Sequence, residues 1–460
     1  MRFTIYRSVL AFIVFIIAPS CSKLTDVNNL KPVNQLSEDE AITTVGKAQS
    51  VLYGTYGLIK SGLEIVAYAP GLSALRGLTM DPGTSAGASE ASYQNNEVDP
   101  EDYYIDAVYT KFYKVISNAN QIIDKAPLIQ TKEPRRDDIV GEAKFIRDLS
   151  HFYLLRMYGY FFDLNSTYGI VIKDKPVIGA ISEARASVKV SYDFILADLD
   201  YAMVHCPSFT KTFYASKEAA MALAAKVNLY KKDYAKAAAL ARQVIQSGKF
   251  QLETKFSDIF QKKIVNTKEV IFQTPYDDKN DRNNKAFIFR SSYLPSAYYA
   301  NLLLGDNRDT AALVRNANGT LRNKKFNNTV FNGQSLTADT EYFLRLDEIY
   351  LILAEALVRS GASLTEASDA LNTIRSRVQM PNTTATTTAA LLDAIRIEKM
   401  LELGAEDGEE WYDLVRYASE KNLSVATYKP GVISETRYVL PLPYQTVKLS
   451  NGVVVQNPAY

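Results

Sequence analysis

The sequence is poor in the residues that most often carry chemistry. Its 460 residues hold only two histidines, His151 and His205, and neither has a Cys or His partner at metal-ligand spacing. A zinc site or a catalytic triad built on histidine is therefore excluded, and both histidines, which lie inside helical patterns, read as helix packing residues. Cysteine is equally scarce. Cys21 and Cys206 are the only two, so modification of the first leaves the second alone and no intrachain disulfide to staple the core. Charge of one sign is not in excess either: 52 Lys and Arg face 51 Asp and Glu, which steers the chain toward no nucleic acid. No phosphate-binding glycine loop stands between a strand and a helix. Tryptophan occurs once, at Trp411, against 30 tyrosines. At 47% apolar and 22% charged residues the composition is that of a globular protein of one large or two medium domains.

What is present begins at the N-terminus. Arg2 and Arg7 precede an unbroken apolar run at residues 9–17, followed by Ala18-Pro19-Ser20 and then Cys21. A bilayer span needs about 20 apolar residues, so the run is too short to cross a membrane and reads as a cleaved export signal. A cysteine directly after small residues at that junction is what bacterial lipoprotein processing requires. Residues 1–20 are thus expected to be signal and Cys21 the lipidated first residue of the mature chain. Several acyl chains on one residue, at about 0.8 kcal/mol per buried methylene, are enough for stable anchoring. Without the signal the net charge falls to about −1.

Residues 21–35 have no helical period and suit a tether. The folded body is expected over 36–460, as a helical half at 36–250, an insert of loops and short strands at 251–340, and a second helical half at 341–460. Ser37-Glu38-Asp39-Glu40 has capping-box spacing before a helix running to about Lys60, with Gly62 to stop it. Asp99-Pro100 is expected to cap and open the next helix, which Pro127 closes. Between them, residues 69–96 are rich in Gly, Ser and Ala and read as a long loop, a length that is usually functional. Helices follow at about 137–160 and 190–204. A pair then follows the cap Ser216 and runs over 234–247, with Ala225, Leu229, Tyr230, Asp233, Tyr234, Ala237 and Ala241 at tetratricopeptide-like spacing. A second pair spans 346–360 and 365–378, with Leu346, Ile349, Tyr350, Leu353 and Leu357 on one stripe. Helices at 389–403 and 411–417 complete the set. Residues 270–274 and 286–289 read as short β runs, with Asn-rich turns at 316–334. The fold class is mainly α: stacked tetratricopeptide-like hairpins in a right-handed superhelical scaffold, with the irregular insert supplying a binding face.

Two clusters invite a catalytic or metal reading. Glu398 and Glu402 lie one turn apart on a helix, but a glycosidase needs carboxylates on opposite sides of a bond. A structural ion network with Arg396, Lys399 and Arg416 fits better. Asp277-Asp278-Lys279-Asn280-Asp281 is oxygen-rich yet lacks the Gly and terminal Glu of a calcium loop, so a solvated turn is expected. Neither a metal nor any other cofactor is expected, nor a catalytic residue.

Several segments taken together then resemble the SusD/RagB family of surface lipoproteins. Cys21-Ser22-Lys23-Leu24-Thr25-Asp26 is similar to the family's start, and YTKFYKVISNAN at 109–120 and GEAKFIRDLSHFYLLRMYGYF at 141–161 to two of its helices. LRLDEIYLILAEA at 344–356, LNTIRSR at 371–377, IEKMLEL at 397–403 and WYDLVR at 411–416 follow the family's order, and Leu440-Pro441-Leu442-Pro443 and Gln456-Asn457-Pro458-Ala459-Tyr460 resemble its ending. Lys399 where an Arg is usual and Ala459 where a Gly is usual are departures in packing motifs. The resemblance implies a cell-surface lipoprotein of the outer membrane that captures oligosaccharides, or in some relatives peptides. It further implies action as the lid of a SusC-type TonB-dependent barrel, with no covalent chemistry. It carries over no ligand residue. By position and chemistry the candidates are Tyr68, Asp81, Tyr93 and Asn95 in the early segment, and Tyr276, Asp278, Arg290, Tyr293 and Tyr298 in the insert, rings for sugar C–H faces and polar groups for hydroxyls. Trp411 falls in a packing motif and is left out. A surface-anchored glycoside hydrolase and a repeat scaffold that binds no ligand stay open as alternatives.

Overall fold

A computed structural model describes residues 42–176, 182–261, 267–275, 281, 283–326 and 338–460. The signal, Cys21, the capping box at Ser37, and the candidates Tyr276 and Asp278 lie outside the described residues. The body is mainly helical. Helix α1, Val45–Ser61, begins later than the Ser37 capping box indicated, where the Thr44 hydroxyl accepts the Lys47 N–H, and ends at Gly62 as expected. Residues 69–96 depart from the expected loop. A π-helical turn, Glu64–Tyr68, runs directly into α2, Ala69–Arg76; strand β1, Met80–Pro82, and α3, Ala88–Asn95, follow. Pro70 sits in the first turn of α2, where no backbone donor is needed. Small residues here serve close packing: a Cβ on Gly71 would lie 2.2 Å from the Tyr293 ring.

Helix α4, Tyr103–Lys125, begins later than expected, because Asp102 caps it by accepting the Tyr104 N–H. Asp99 instead accepts from the Glu101 N–H in the preceding turn. Then come α5, Arg135–Tyr158, α6, Val188–His205, α7, Lys217–Tyr230, and α8, Tyr234–Gln246, the last three capped by Ser187, Ser216 and Asp233. From Ile139 to Tyr158 only Lys144 of α5 is not buried, the mark of a central helix rather than an amphipathic surface one. It carries His151, fully buried edge-on to Phe194, where burial with Arg147 nearby lowers its pKa to about 3 and keeps the ring neutral. His205 stacks on Tyr201. Both are the packing residues they were expected to be.

The insert opens with α9, Phe256–Gln261, and β2, Val270–Gln273. Residues 286–289 are not a strand but part of α10, Lys285–Ser291: Lys285, Ala286 and Phe289 are buried at helical spacing, a period that four residues cannot reveal. Then follow β3, Tyr293–Pro295, α11, Ala297–Leu302, α12, Asp309–Ala312, the hairpin of β4, Leu313–Arg315, and β5, Leu321–Asn323, and β6, Tyr342–Arg345. The C-terminal helices are α13, Leu346–Arg359, α14, Leu364–Arg377, α15, Thr388–Leu403, α16, Glu409–Ser419, α17, Val425–Tyr428, and α18, Tyr444–Leu449.

Helices neighbouring in sequence are neighbours in space from α4 to α8, and α8 then packs on α13, which also meets α14 and α15. Alanines make this possible: Ala219, Ala220, Ala222, Ala224 and Ala225 of α7 are buried, so α8 approaches closely and Tyr230 fills the space left. The strands form three two-stranded antiparallel ribbons, β1 with β3, β2 with β6 and β4 with β5.

A cleft where three distant segments meet

The pairing of β1 with β3 sets Asp81 opposite Leu294 and so joins the early segment to the insert. The Ser296 N–H donates to Thr79 O at 2.9 Å, and the Ser296 hydroxyl caps α11 by accepting the Tyr299 N–H. This cap fixes the two tyrosines that follow on opposite sides. Tyr299 is fully buried, its hydroxyl donating to Leu401 O, while Tyr298 is 42% exposed. It faces a cleft of about 610 Å³, lined by Asp81, Gln94, Asn95, Glu97, Tyr298, Tyr428 and Lys429 over a floor that includes Met80 and Val432. That volume lies within the usual range for small-molecule sites.

Each wall has a defined support. Gln94 donates from Nε2 to Asp81 Oδ1 at 2.7 Å, and burial raises the Asp81 pKa against that hydrogen bond. The Lys429 Nζ donates to Arg76 O at 2.6 Å, Gln94 O at 2.7 Å and Gly77 O at 3.3 Å, so one side chain ties α2, α3 and the segment after α17 together. Burial, with Arg76 nearby, lowers its pKa to about 7. Behind the rings stands Arg396, only 4% exposed. Its Nη2 donates to Asp393 at 2.7 Å and to the Tyr428 hydroxyl at 3.0 Å, and its guanidinium carbon lies 5.0 Å from the Tyr428 ring centroid. An exposed ring, Tyr298, and a half-buried one, Tyr428, beside carboxylate and amide groups suit a ligand with both C–H faces and hydroxyls. A second recess of about 370 Å³, lined by Lys255, Lys324 and Asn307 among others, has Phe256 as its one aromatic side chain, and that ring is buried.

Of the residues nominated from sequence, Asp81, Asn95 and Tyr298 come together here. Tyr93 and Tyr293 do not. Both are fully buried, Tyr93 donating to Asp102 Oδ1 and Tyr293 lying edge-on to Phe289 beneath Gly71. Tyr68 is half-buried against Tyr104, with ring centroids 4.7 Å apart, and does not line the cleft. Nor does Arg290, whose Nε donates to Ala286 O within α10. Gln94, Glu97, Tyr428 and Lys429 were missed. The last two lie within the second helical half, at the end of α17 and just after it, and their one sequence signal is the Pro430-Gly431 turn after an aromatic and a base.

Glu398 and Glu402 are structural, as expected, but with other partners than Arg396, Lys399 and Arg416. Arg308 reaches Glu398 at 2.7 Å and Glu402 at 2.9 Å, Arg375 also pairs with Glu398, and Arg377 with Glu402. The spacing of Glu398 and Glu402 turns both toward α14 and Arg308. Arg396 pairs with Asp393, Lys399 with Asp413, and Arg416 with Glu355. The carboxylates of Glu269, Asp347 and Glu402 converge, and Arg345 and Arg377 neutralise them at 2.9 Å each from Asp347 and Glu269. Trp411 is fully buried beneath the Arg76 guanidinium, consistent with its exclusion from the binding set.

Against known proteins, residues 290–460 match the model described as the SusD family, and residues 75–229 match the model described as starch-binding associating with outer membrane. A SusD-like protein P2 of Formosa agariphila is 24% identical, covering 98% of this chain and 99% of its own. A SusD-like protein of Bacteroides ovatus is 24% identical over 70% of this chain and 68% of its own. Among solved structures, a SusD superfamily protein from Bacteroides thetaiotaomicron superposes with a TM-score of 0.77 at 24% identity, covering 90% of this chain and all of that one. A laminarin-binding SusD-like protein superposes with a TM-score of 0.74 at 22% identity, covering 90% of this chain and 99% of that one.

Proposed function

This chain belongs to the SusD family, and from that premise we propose that it is a lipid-anchored, outward-facing binding protein of the outer membrane. In this reading it captures oligosaccharides in the cleft between Asp81, Tyr298 and Tyr428 and acts as the lid of a SusC-type TonB-dependent barrel. The observation that carries the binding role is the cleft itself: residues from three segments distant in sequence converge on one cavity with two tyrosine rings, one exposed and one half-buried, and several carboxylate and amide groups. Hydroxyl-rich chains are recognised by such planar groups, and no covalent step is required. The tetratricopeptide-like helix hairpins would form the rigid face that docks on the barrel, and Cys21 would hold the body at the membrane through its acyl chains. The alternative hydrolase reading loses its carboxylate pair, since Glu398 and Glu402 are buried and held by arginines.

Electrophoresis of the full-length protein through gels loaded with single polysaccharides tests the capture role directly. Retardation by at least one glycan, with no shortening of that glycan afterwards, is expected; peptides bound in place of any glycan would move the substrate class. For the anchor, Cys21→Ala is expected to abolish incorporation of labelled palmitate and to release the protein from the membrane fraction, and a membrane-bound, labelled variant would refute it.

A further inference from the structure

Resting on the reading of the cleft as a glycan site, we infer that it selects uncharged or amino-bearing sugars and turns away chains that carry carboxylate or sulfate. The argument is an accounting of hydrogen-bonding capacity at the wall. Lys429 is the one basic residue among the described lining residues. Its ammonium has three N–H donors, and the carbonyls of Arg76, Gly77 and Gln94 take all three. No donor is left on it for an anion, and its pKa near 7 leaves it only part-charged at neutrality. The cations behind the wall are buried: Arg76 is 1% exposed, and Arg396, bonded through Nη2 to Asp393 and the Tyr428 hydroxyl, is 4% exposed with its unpartnered Nε and Nη1 buried as well, so neither presents a donor to the cleft.

The polar groups that remain are of the other kind. Asp81 and Glu97 bring negative charge to the lining, Glu97 from an exposed position, and Gln94 and Asn95 bring neutral amides. A sugar carboxylate or sulfate entering here meets like charge, and among the described lining residues the one cation, Lys429, has no donor free for it, which opposes binding more strongly in a half-enclosed cleft than in open water. A hydroxyl can donate to Asp81 or Glu97 and accept from the amides, and a protonated amino group gains from both acids. The rings of Tyr298 and Tyr428 carry no charge preference against neutral sugars and add a cation–π attraction for an amino sugar.

The test is an array of glycans spanning four chemistries, probed with full-length protein in detergent at physiological salt: neutral (laminarin oligosaccharides among others), amino-bearing (chitosan oligosaccharides), carboxylate-bearing (alginate oligosaccharides) and sulfated (carrageenan oligosaccharides), with affinities then measured by calorimetry. The tightest neutral or amino member is expected to bind at least tenfold more tightly than any anionic one. A variant carrying Asp81→Asn and Glu97→Gln is expected to narrow that gap several-fold. An anionic glycan bound as tightly as the best neutral one, with its affinity lost in Tyr298→Ala, would overturn the inference while leaving capture intact. Binding of no member at all would overturn the capture reading and this selectivity together.

Discussion

The charges packed among α13, α14, α15 and α16 and those around the cleft follow opposite rules. In the interior, Arg308, Arg345, Arg377 and Arg416 each sit on one or more carboxylates, and the side chain of each is at most 4% exposed. Their hydrogen-bonding capacity is directed inward and holds helices in register. At the cleft the acids and amides are half-exposed or exposed, and the saturated group is the lysine that ties the walls. Density of charge, then, does not mark a binding site in this molecule. In the proposed site the mark is accessible polar groups beside an exposed ring.

The contrast can be broken most forcefully in the interior. Arg308→Met leaves Asp306, Glu398 and Glu402 buried without their shared cation, and about 3–5 kcal/mol of stability should be lost. Urea unfolding of this variant beside Glu97→Gln, whose exposed side chain should change stability by less than about 0.5 kcal/mol, measures the difference. Near-equal midpoints would mean the two regions are not distinct.

Glu410 lies at the border of the two regions, where Thr79 donates to it and a Cβ on Gly77 would fall 2.7 Å from its Oε1. Burial, with Asp407 and Glu409 close by, pushes its pKa up to about 8 from 4.5. The folded state therefore keeps a proton that the unfolded chain has released, so its contribution is complete below pH 4.5 and is lost as pH rises through 8. Stability should fall by up to about 1.4 kcal/mol per pH unit within that window from this group alone. Glu410→Gln should flatten that part of the profile and exceed the parent in stability at pH 8; an unchanged slope from pH 5 to 8 would show that Glu410 is ionised in the fold.

At the cleft the expected effects are smaller and fall on affinity instead. Tyr298→Ala should weaken glycan binding about tenfold, roughly 1.4 kcal/mol, with its melting temperature close to the parent's because the residue is 42% exposed and not part of the buried core. Tyr293→Ala should do the reverse, losing stability through a cavity beneath Gly71. Circular dichroism melts run beside calorimetry separate the two.

The pairing of those tyrosines also shows what sequence could and could not reveal. Ser216 caps α7 where the sequence placed it, and α8 begins at Tyr234 as its period indicated, since caps and helical periods are local. Asp81, Asn95 and Tyr298 were recognisable because polar and aromatic residues near turns tend to stay accessible. Tyr93 and Tyr293 have the same chemistry and are core residues, a distinction set by packing of α2 and β3 that no local pattern encodes. Residues 69–96 misled because small residues that permit tight helix contact look the same as those that loosen a loop. Lys429 was out of reach: its acceptor Arg76 O lies 353 residues earlier, and only the tertiary fold brings them together.

If the cleft, and not the buried charge, holds the ligand, calorimetric titration of the parent and of a Tyr298→Ala/Tyr428→Ala variant, using the glycan that most retards the parent in affinity gels, should show at least a tenfold loss of affinity in a variant that remains folded. Unchanged affinity in that folded variant would place the ligand elsewhere.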